Sequence, residues 1–188
     1  LDSRPAFLLF FPREESRRGV AVKIQPGRAD AFVASPPPDI RAVLLYGPDS
    51  GLVRERLTAL SKAVAGDASD PFRISDLSPA QLKDDPARLA DEAQALSLTG
   101  GRRLVRISNA PDSLAGLLGD FLANPVGEAL VAVTGDELGP RSALRKLFEE
   151  EARAAALACY ADEGQGLDSL ITQHLGRQKI RIGPEALA

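Results

Sequence analysis

Cysteine and histidine are almost missing from this chain, which has one of each, Cys159 and His174. A single cysteine excludes an intrachain disulfide and any cysteine-built metal site. A single histidine excludes a histidine cluster, and no nucleophile–histidine–acid set offers itself. His174 lies in the trailing segment and reads as a surface residue. The lone thiol fits a reducing cytosol, so the expected localisation is cytoplasmic. Tryptophan is absent and aromatics make up 5% of the 188 residues, so the core must rest on Leu, Ile, Val and Ala. No apolar run is long enough to span a bilayer, so no membrane partner is expected. A net charge of −3 gives no sign of a strongly basic nucleic-acid binder. Methionine is absent, even at position 1, which leads to the expectation of a fragment or of a chain that begins after processing.

What is present suits a globular core: 44% apolar and 26% charged residues, enough for one ordinary domain plus a fragment. The most informative segment is 42–57, AVLLYGPDSGLVRERL. An apolar run, Ala42 to Tyr46, reads as a buried strand. Gly47, Pro48 and Gly51 make a turn, and a helix follows from Leu52. This is the strand–loop–helix context of a phosphate-binding loop, GxxxxGK[ST]. In such a loop the Lys reaches the β- and γ-phosphates and the hydroxyl holds Mg²⁺. Counted from Gly47, the second Gly is Leu52, the Lys is Val53 and the Ser/Thr is Arg54. Asp49 adds negative charge where an anion would sit. The segment reads either as the frame of a nucleotide site without its chemistry or as an ordinary βα turn.

The rest of the chain alternates. Residues 1–19 differ in character: AFLLFF at 6–11 precedes PREESRR, the wrong order for a signal peptide. They are read as an extension, non-native or disordered, with an anchor or partner segment as the other reading. Residues 20–41 form a lead-in, with a short helix at Arg28–Ala34 stopped by Pro36, Pro37 and Pro38. Strand 42–46 and helix 52–65 follow, then a strand at Pro71–Ser75. Ser78-Pro79-Ala80-Gln81 predicts a helix start, with Ser78 as N-cap, Pro79 in the first turn and Gln81 closing a capping box. Another helix runs from Pro86 to about Leu96, with Leu89, Ala93 and Leu96 on one face. Gly100-Gly101 breaks it. A strand at Arg103–Asn109, a helix at 113–123, a strand at 129–134, a charged helix from Pro140 to about Arg153 and a strand at Ala156–Tyr160 complete the pattern. The expected fold class is α/β, a parallel sheet with flanking helices. Helical segments at 167–176 and from Gly183-Pro184 read as the start of a second domain.

An active nucleotide site would also need a carboxylate at the end of a second strand. After Leu104-Val105-Arg106-Ile107 comes the neutral Asn109, and Asp112 lies beyond Pro111. Hydrolysis is therefore not expected, no catalytic residue is assigned, and no cofactor or metal is expected. The basic residues Arg102, Arg103 and Arg106, and Arg141, Arg145 and Lys146, read as a phosphate or acidic-partner patch, or as a solvated face balanced by Glu149, Glu150 and Glu151. Leu98 stands where the 86–96 helix gives way to glycines. Such a residue plugs a partner's pocket or caps its own core.

Four segments together resemble one family: RAVLLYGPDSGLVRER (41–56), Phe72-Arg73, EAQALSLTGGRRLVRISNA (92–110) and ALVAVTGDELGPRSALRKLFEE (129–150). A strand ending in Gly-Asp-x-Leu before a Ser-x-Leu-Arg-Lys helix is the most specific of them. The resemblance, from about residue 20 onward, is to the delta subunit of the bacterial DNA polymerase III clamp loader.

That resemblance implies an AAA+/P-loop NTPase-like domain with a degenerate nucleotide site over 20–160, and the start of a small helical lid domain over 161–188. It implies that the collar domain is not in this chain. It implies no catalysis of its own, in a subunit of the DNA-directed DNA polymerase (nucleotidyltransferase) holoenzyme. The implied partners are the sliding clamp (beta subunit), the gamma/tau and delta prime subunits, and DNA through the assembled complex. The family's clamp-contacting Leu-Phe pair maps to Leu98 and Thr99. Leu98 keeps the anchor; Thr99 departs from the pattern and loses a large apolar contact. The second class of function weighed is an enzyme, a P-loop-like NTPase with an atypical nucleotide site. A receiver-like regulator ranks last, for want of a clustered acidic pocket.

Overall fold

The computed structural model describes residues 22–24, 26–97 and 100–160. Residues 1–19, the segment from 161 onward with His174, and the Leu98–Thr99 pair all lie outside the described residues.

Among the described residues six strands form one all-parallel sheet: β1 (Val22–Lys23), β2 (Ala42–Tyr46), β3 (Ile74–Leu77), β4 (Leu104–Ile107), β5 (Leu130–Gly135) and β6 (Ala154–Ala158), in the order β1-β6-β2-β5-β4-β3. The expected α/β class with flanking helices is the observed one. The central strands β2 and β5 are buried at every position. Near-continuous apolar runs such as AVLLY and LVAVT are what a sheet covered on both faces requires.

Alternate residues feed two cores. Leu44, Tyr46, Val105, Val131 and Val133 point to one face. There they meet Leu82 of α3 (Pro79–Asp84), Leu89 and Ala93 of α4 (Arg88–Gln94), Leu118 and Phe121 of α5 (Ala115–Ala123), and Leu144 and Phe148 of α6 (Ala143–Glu150). Val43, Leu45, Leu104, Leu130 and Leu157 face the other way, onto Phe32 and Val33 of α1 (Pro26–Ala34) and Leu60 of α2 (Ser50–Ala65). The connection leaving β2 therefore runs over one face and that leaving β5 over the other. In open parallel sheets ligands gather in the crevice where neighbouring connections diverge in this way.

Several boundaries differ from the sequence reading, each for a local reason. Helix α2 starts at Ser50, not Leu52, because Asp49 caps it. The strand expected at Pro71–Ser75 lies at Ile74–Leu77; Asp70 turns the chain first, its backbone oxygen accepting from Arg73 N and Ile74 N. Helix α4 ends at Gln94, since Ala95 is extended (φ −58°, ψ 130°). Leu96 is thereby 89% exposed, off the apolar face assigned to it. Helix α6 begins behind Ser142 rather than at Pro140, because Gly139–Ser142 closes a turn, and it stops at Glu150. Strand β6 sits two residues earlier than expected. The strand Val22–Lys23 was not foreseen; it pairs with Ala155 and Ala156 at the sheet edge. The capping box at Ser78 is present, with Gln81 N donating to Ser78 Oγ and Ser78 N to Gln81 Oε1.

Candidate functional site

The loop after β2 and the loop after β5 face each other across the crevice, and the chain fills that crevice itself. Gly47 N donates to Asp136 O (3.2 Å), joining the two loops. Asp49 N donates to Cys159 O (3.4 Å), Ser50 N to Pro48 O (3.2 Å) and Val53 N to Asp49 O (3.0 Å). Leu52 N donates to the Asp49 carboxylate at 2.9 Å. In a working phosphate loop these amides point at the ligand, and the helix N-terminus favours its charge. Here each of those five is engaged within the protein. Asp49 is more than a repelling charge near the site. Its carboxylate occupies the N-terminus of α2, where a phosphate oxygen would lie.

Gly47 has a reason of its own to be glycine. Its φ is +148°, and a Cβ there would be driven into the backbone carbonyl of Cys159. Pro48 and Gly51 are exposed. Val53, at the lysine position, packs against the α1–α2 core. Arg54, at the hydroxyl position, is exposed, and its carbonyl accepts from Thr58 Oγ1 at 2.8 Å. Nearby, Arg56 is buried. It donates to Ala158 O (2.9 Å) and the Cys159 thiol (3.5 Å), and sits 3.5 Å from Asp30 of α1. Burial pushes the Cys159 thiol up, with Arg56 opposing. Arg56, on α2, was not picked out from sequence; its bonds to Ala158 and Cys159 at the end of β6 leave no local pattern.

The second carboxylate position is likewise engaged. Asn109 sits at φ +52°, with its N–H on Thr134 Oγ1 (3.1 Å). Asp112 reaches across to α6, accepting from Ser142 Oγ (2.5 Å), Ala143 N (3.2 Å) and Leu144 N (3.3 Å). The Ser142 hydroxyl, with the two amides, holds its carboxyl below the usual range against a smaller effect of burial. Beside the loop, the buried Tyr46 donates its hydroxyl to Glu149 Oε1 (3.4 Å), which also accepts from Arg145 Nε (3.0 Å). Burial above all pushes the Tyr46 phenol up to about 12. Among the described residues, no group of three His, Cys, Asp or Glu side chains could hold a metal ion, and no helix is long and apolar enough to cross a membrane.

The turn between α4 and β4 is the other candidate. Leu98 and Thr99 lie outside the described residues, but both flanks are defined. Gly100 N donates to Ser97 O at 3.2 Å, closing the turn. On the α4 side, Arg103 pairs with Glu92 (3.2 Å), and Gly127 (φ +62°) lies so close that a Cβ would strike Ala93 O. On the β4 side, Arg73 donates to Gly100 O through Nε (3.0 Å) and Nη2, and to Ala65 O (3.0 Å). Leu96, beside the turn in the chain, is 89% exposed, and Phe72, next to Arg73, is 60% exposed.

The arginines weighed as a phosphate patch are mostly internal struts. Arg102 donates to Glu128 O (3.0 Å) and Ile40 O, and Arg106 makes a two-pronged pair with Asp76 (2.7 and 2.6 Å). Arg145 is held by Glu149. Arg141 precedes α6 rather than lying on it, and is exposed with Lys146.

No family model matches the chain. Among curated proteins it is similar to the probable DNA polymerase III subunit delta of Rickettsia prowazekii (strain Madrid E), 26% identical over 148 residues, which is 79% of this chain and 43% of that protein. Among solved structures it is similar to the Bacillus subtilis DNA clamp loader delta protein, with a TM-score of 0.64 and 19% identity over 87% of this chain and 50% of that one. A DNA polymerase III gamma subunit-related protein of Thermotoga maritima matches with a TM-score of 0.51 and 11% identity, over 80% of this chain and 50% of that one. The chain thus spans about half the length of the proteins it matches. The resemblance stated from the four sequence segments is the one these comparisons find, and the α/β fold is shared with the matched clamp-loader delta structure.

Proposed function

We propose that this chain carries the clamp-binding domain of a delta-type clamp-loader subunit in DNA replication. It binds a ring-shaped sliding clamp and holds one interface of the ring open, without hydrolysing ATP itself. Residues 20–160 form this unit, and the segment from 161 begins a lid domain. The other loader partners are the gamma/tau and delta prime subunits, and DNA is met through the assembled complex. The contact lies at Leu98 and Thr99. Opening follows from differential binding: a domain that fits the open clamp better than the closed one shifts the equilibrium by that difference.

The observation that carries this reading is the self-filled loop. The five amides engaged within 47–53, the Asp49 carboxylate at the α2 N-terminus, and Val53 and Arg54 in place of Lys and Ser/Thr all oppose a bound triphosphate. A nucleotide-binding frame closed to nucleotide suits a subunit that is held and moved by neighbours. The similarity to a DNA polymerase III delta subunit and a DNA clamp loader delta protein supports a sliding clamp as the partner.

The test is binding to the sliding clamp of the same organism on a biosensor, with Leu98→Ala alongside. Saturable binding, weakened at least about tenfold by Leu98→Ala, is expected for an apolar anchor. Binding unchanged by the substitution moves the contact elsewhere, and no binding at high micromolar clamp overturns the reading. Saturating ATP-Mg²⁺ is expected to leave the melting temperature unchanged. A real site at about a hundred times its Kd would add about 2.7 kcal/mol and favour the NTPase reading.

A further inference from the structure

We infer that the cleft lined by Arg41 and Arg153, where strands β2 and β6 begin, is a docking site for an acidic segment of a protein partner, whose carboxylates the two guanidinium groups bind. The inference stands apart from the clamp-binding reading. Ala42 pairs with Ala154 in the register of β2 on β6. Arg41 and Arg153 therefore stand side by side one residue before the strands, and Arg41 N donates to Arg153 O at 2.7 Å. Neighbours in register send their side chains to the same side, and like charges so placed repel. Both side chains line one open cleft of about 640 Å³.

Contacts among the described residues leave this pair of charges uncompensated. Arg41 spends Nη2 on neutral carbonyls, Val126 O (3.0 Å), Gly127 O (2.8 Å) and Ala129 O (3.4 Å), and its Nε is buried without an acceptor. The half-buried Arg153 side chain has no hydrogen bond or ion pair among the described residues. Glu151 accepts only from the Arg153 main-chain N–H (3.4 Å). Asp39 is the one carboxylate lining the cleft; it is exposed and forms no ion pair with either arginine. Elsewhere the protein matches its arginines: Arg56 meets Asp30, Arg103 meets Glu92, Arg106 meets Asp76 and Arg145 meets Glu149. A further guanidinium, Arg102, lies close enough for the Arg41 charge to help burial push it down, and it too donates to carbonyls, Glu128 O and Ile40 O.

The shape and charge of the cleft favour a carboxylate side chain over a nucleic-acid backbone. A guanidinium offers a carboxylate two parallel N–H bonds. Pro38, Pro125 and Val126 give the cleft apolar walls, which suit the methylenes that carry such a group. Asp39 and the net charge of −3 oppose a long polyanion, whereas one acidic side chain enters between the arginines without drawing a row of phosphates past Asp39.

Arg153 makes the test clean, because its side chain braces nothing among the described residues. The probe is a blocked tetraglutamate peptide, titrated at low salt into the isotope-labelled chain and followed by amide chemical shifts. Saturable shifts are expected at 39–41, 123–127 and 152–154, and raised salt is expected to reverse them. Arg153→Gln is expected to weaken binding at least about tenfold, yet to melt at or above the parent, since it relieves the repulsion with Arg41. Arg41→Lys keeps the charge but loses the fork and is expected to weaken binding as well.

Absence of saturable shifts at high millimolar peptide overturns the inference. So does equal binding of a tetraglutamine peptide, or full affinity in Arg153→Gln. An Arg153→Gln chain that melts well below the parent makes Arg153 a brace of the fold and overturns it too. A short oligothymidylate that binds the same residues more tightly than tetraglutamate overturns it in favour of a nucleic-acid site.

Discussion

Replacing Gly47 by alanine separates two explanations of the same glycine. If the residue exists to let a phosphate approach, the ligand-free protein should barely notice a methyl group. The structure gives it another task. Its φ of +148° is a conformation essentially reserved to glycine, and a Cβ would enter the Cys159 carbonyl. Strain of this kind costs about 1–3 kcal/mol. The neck cannot relax without loosening Cys159 N on Tyr46 O (2.7 Å), Asp49 N on Cys159 O (3.4 Å) or Gly47 N on Asp136 O (3.2 Å). Two such bonds are worth about 1 kcal/mol each, so the expected loss is about 3–5 kcal/mol. For a domain of this size that lowers Tm by roughly 6–20 °C. The assay is thermal unfolding of nucleotide-free protein. Gly116→Ala is the control, because nothing lies within 4 Å of a Cβ placed there on α5. It is expected to gain up to about 1 kcal/mol from helix propensity. A Gly47→Ala chain that melts with the parent would refute the account of the loop as a packed internal joint.

Two further outcomes concern pH. The Asp112 carboxyl is held low in the folded state, chiefly by the Ser142 hydroxyl. Its stabilisation is present above the ordinary carboxylate range and is lost as pH falls through the depressed value. Asp112→Asn is therefore expected to flatten the acid limb of a stability–pH curve, and an unchanged limb would contradict the α6 cap. The Tyr46 phenol is raised to about 12, mainly by burial. Its contribution is complete below the unfolded value of about 10 and is lost as pH climbs toward the folded value. Tyr46→Phe is expected to remove that alkaline component in denaturant titrations, although the bond to Glu149 is lost as well.

Much of the scaffold was written in local patterns. Ala42–Tyr46 is apolar at every position because both faces are covered, so composition alone located it. Ser78, Pro79 and Gln81 make a helix start whose bonds lie within four residues, so spacing alone located that. What escaped depends on distant partners. Val22–Lys23 is a strand only because β6 offers it an edge. Leu96 fits the apolar stripe of α4 by spacing, yet the chain turns extended at Ala95 and turns it outward. Asp49 was legible as a charge near an anion site, but its role as the cap of α2 needed coordinates. The same holds for Asp112, which caps a helix about thirty residues away in the chain. The candidate turn was legible through Leu98 and the glycine pair. Arg73 appeared only as part of a resemblance, because its bonds to Gly100 and Ala65 leave no periodic trace.

The strand order has a consequence for the birth of the chain. Strand β2 sits at the centre of the sheet, and its partners β5 and β6 follow it by roughly ninety and a hundred and ten residues. On the ribosome, Val43, Leu44 and Leu45 emerge long before either neighbour exists. Until synthesis passes Gly135 both edges of that strand are open and adhesive, and one stays open until it passes Ala158. The sheet therefore closes late: β3 and β4 are made before β5, which then joins them to β2. A slowed or interrupted synthesis at about residue 130 would leave the stickiest part of the protein waiting for partners still to be made.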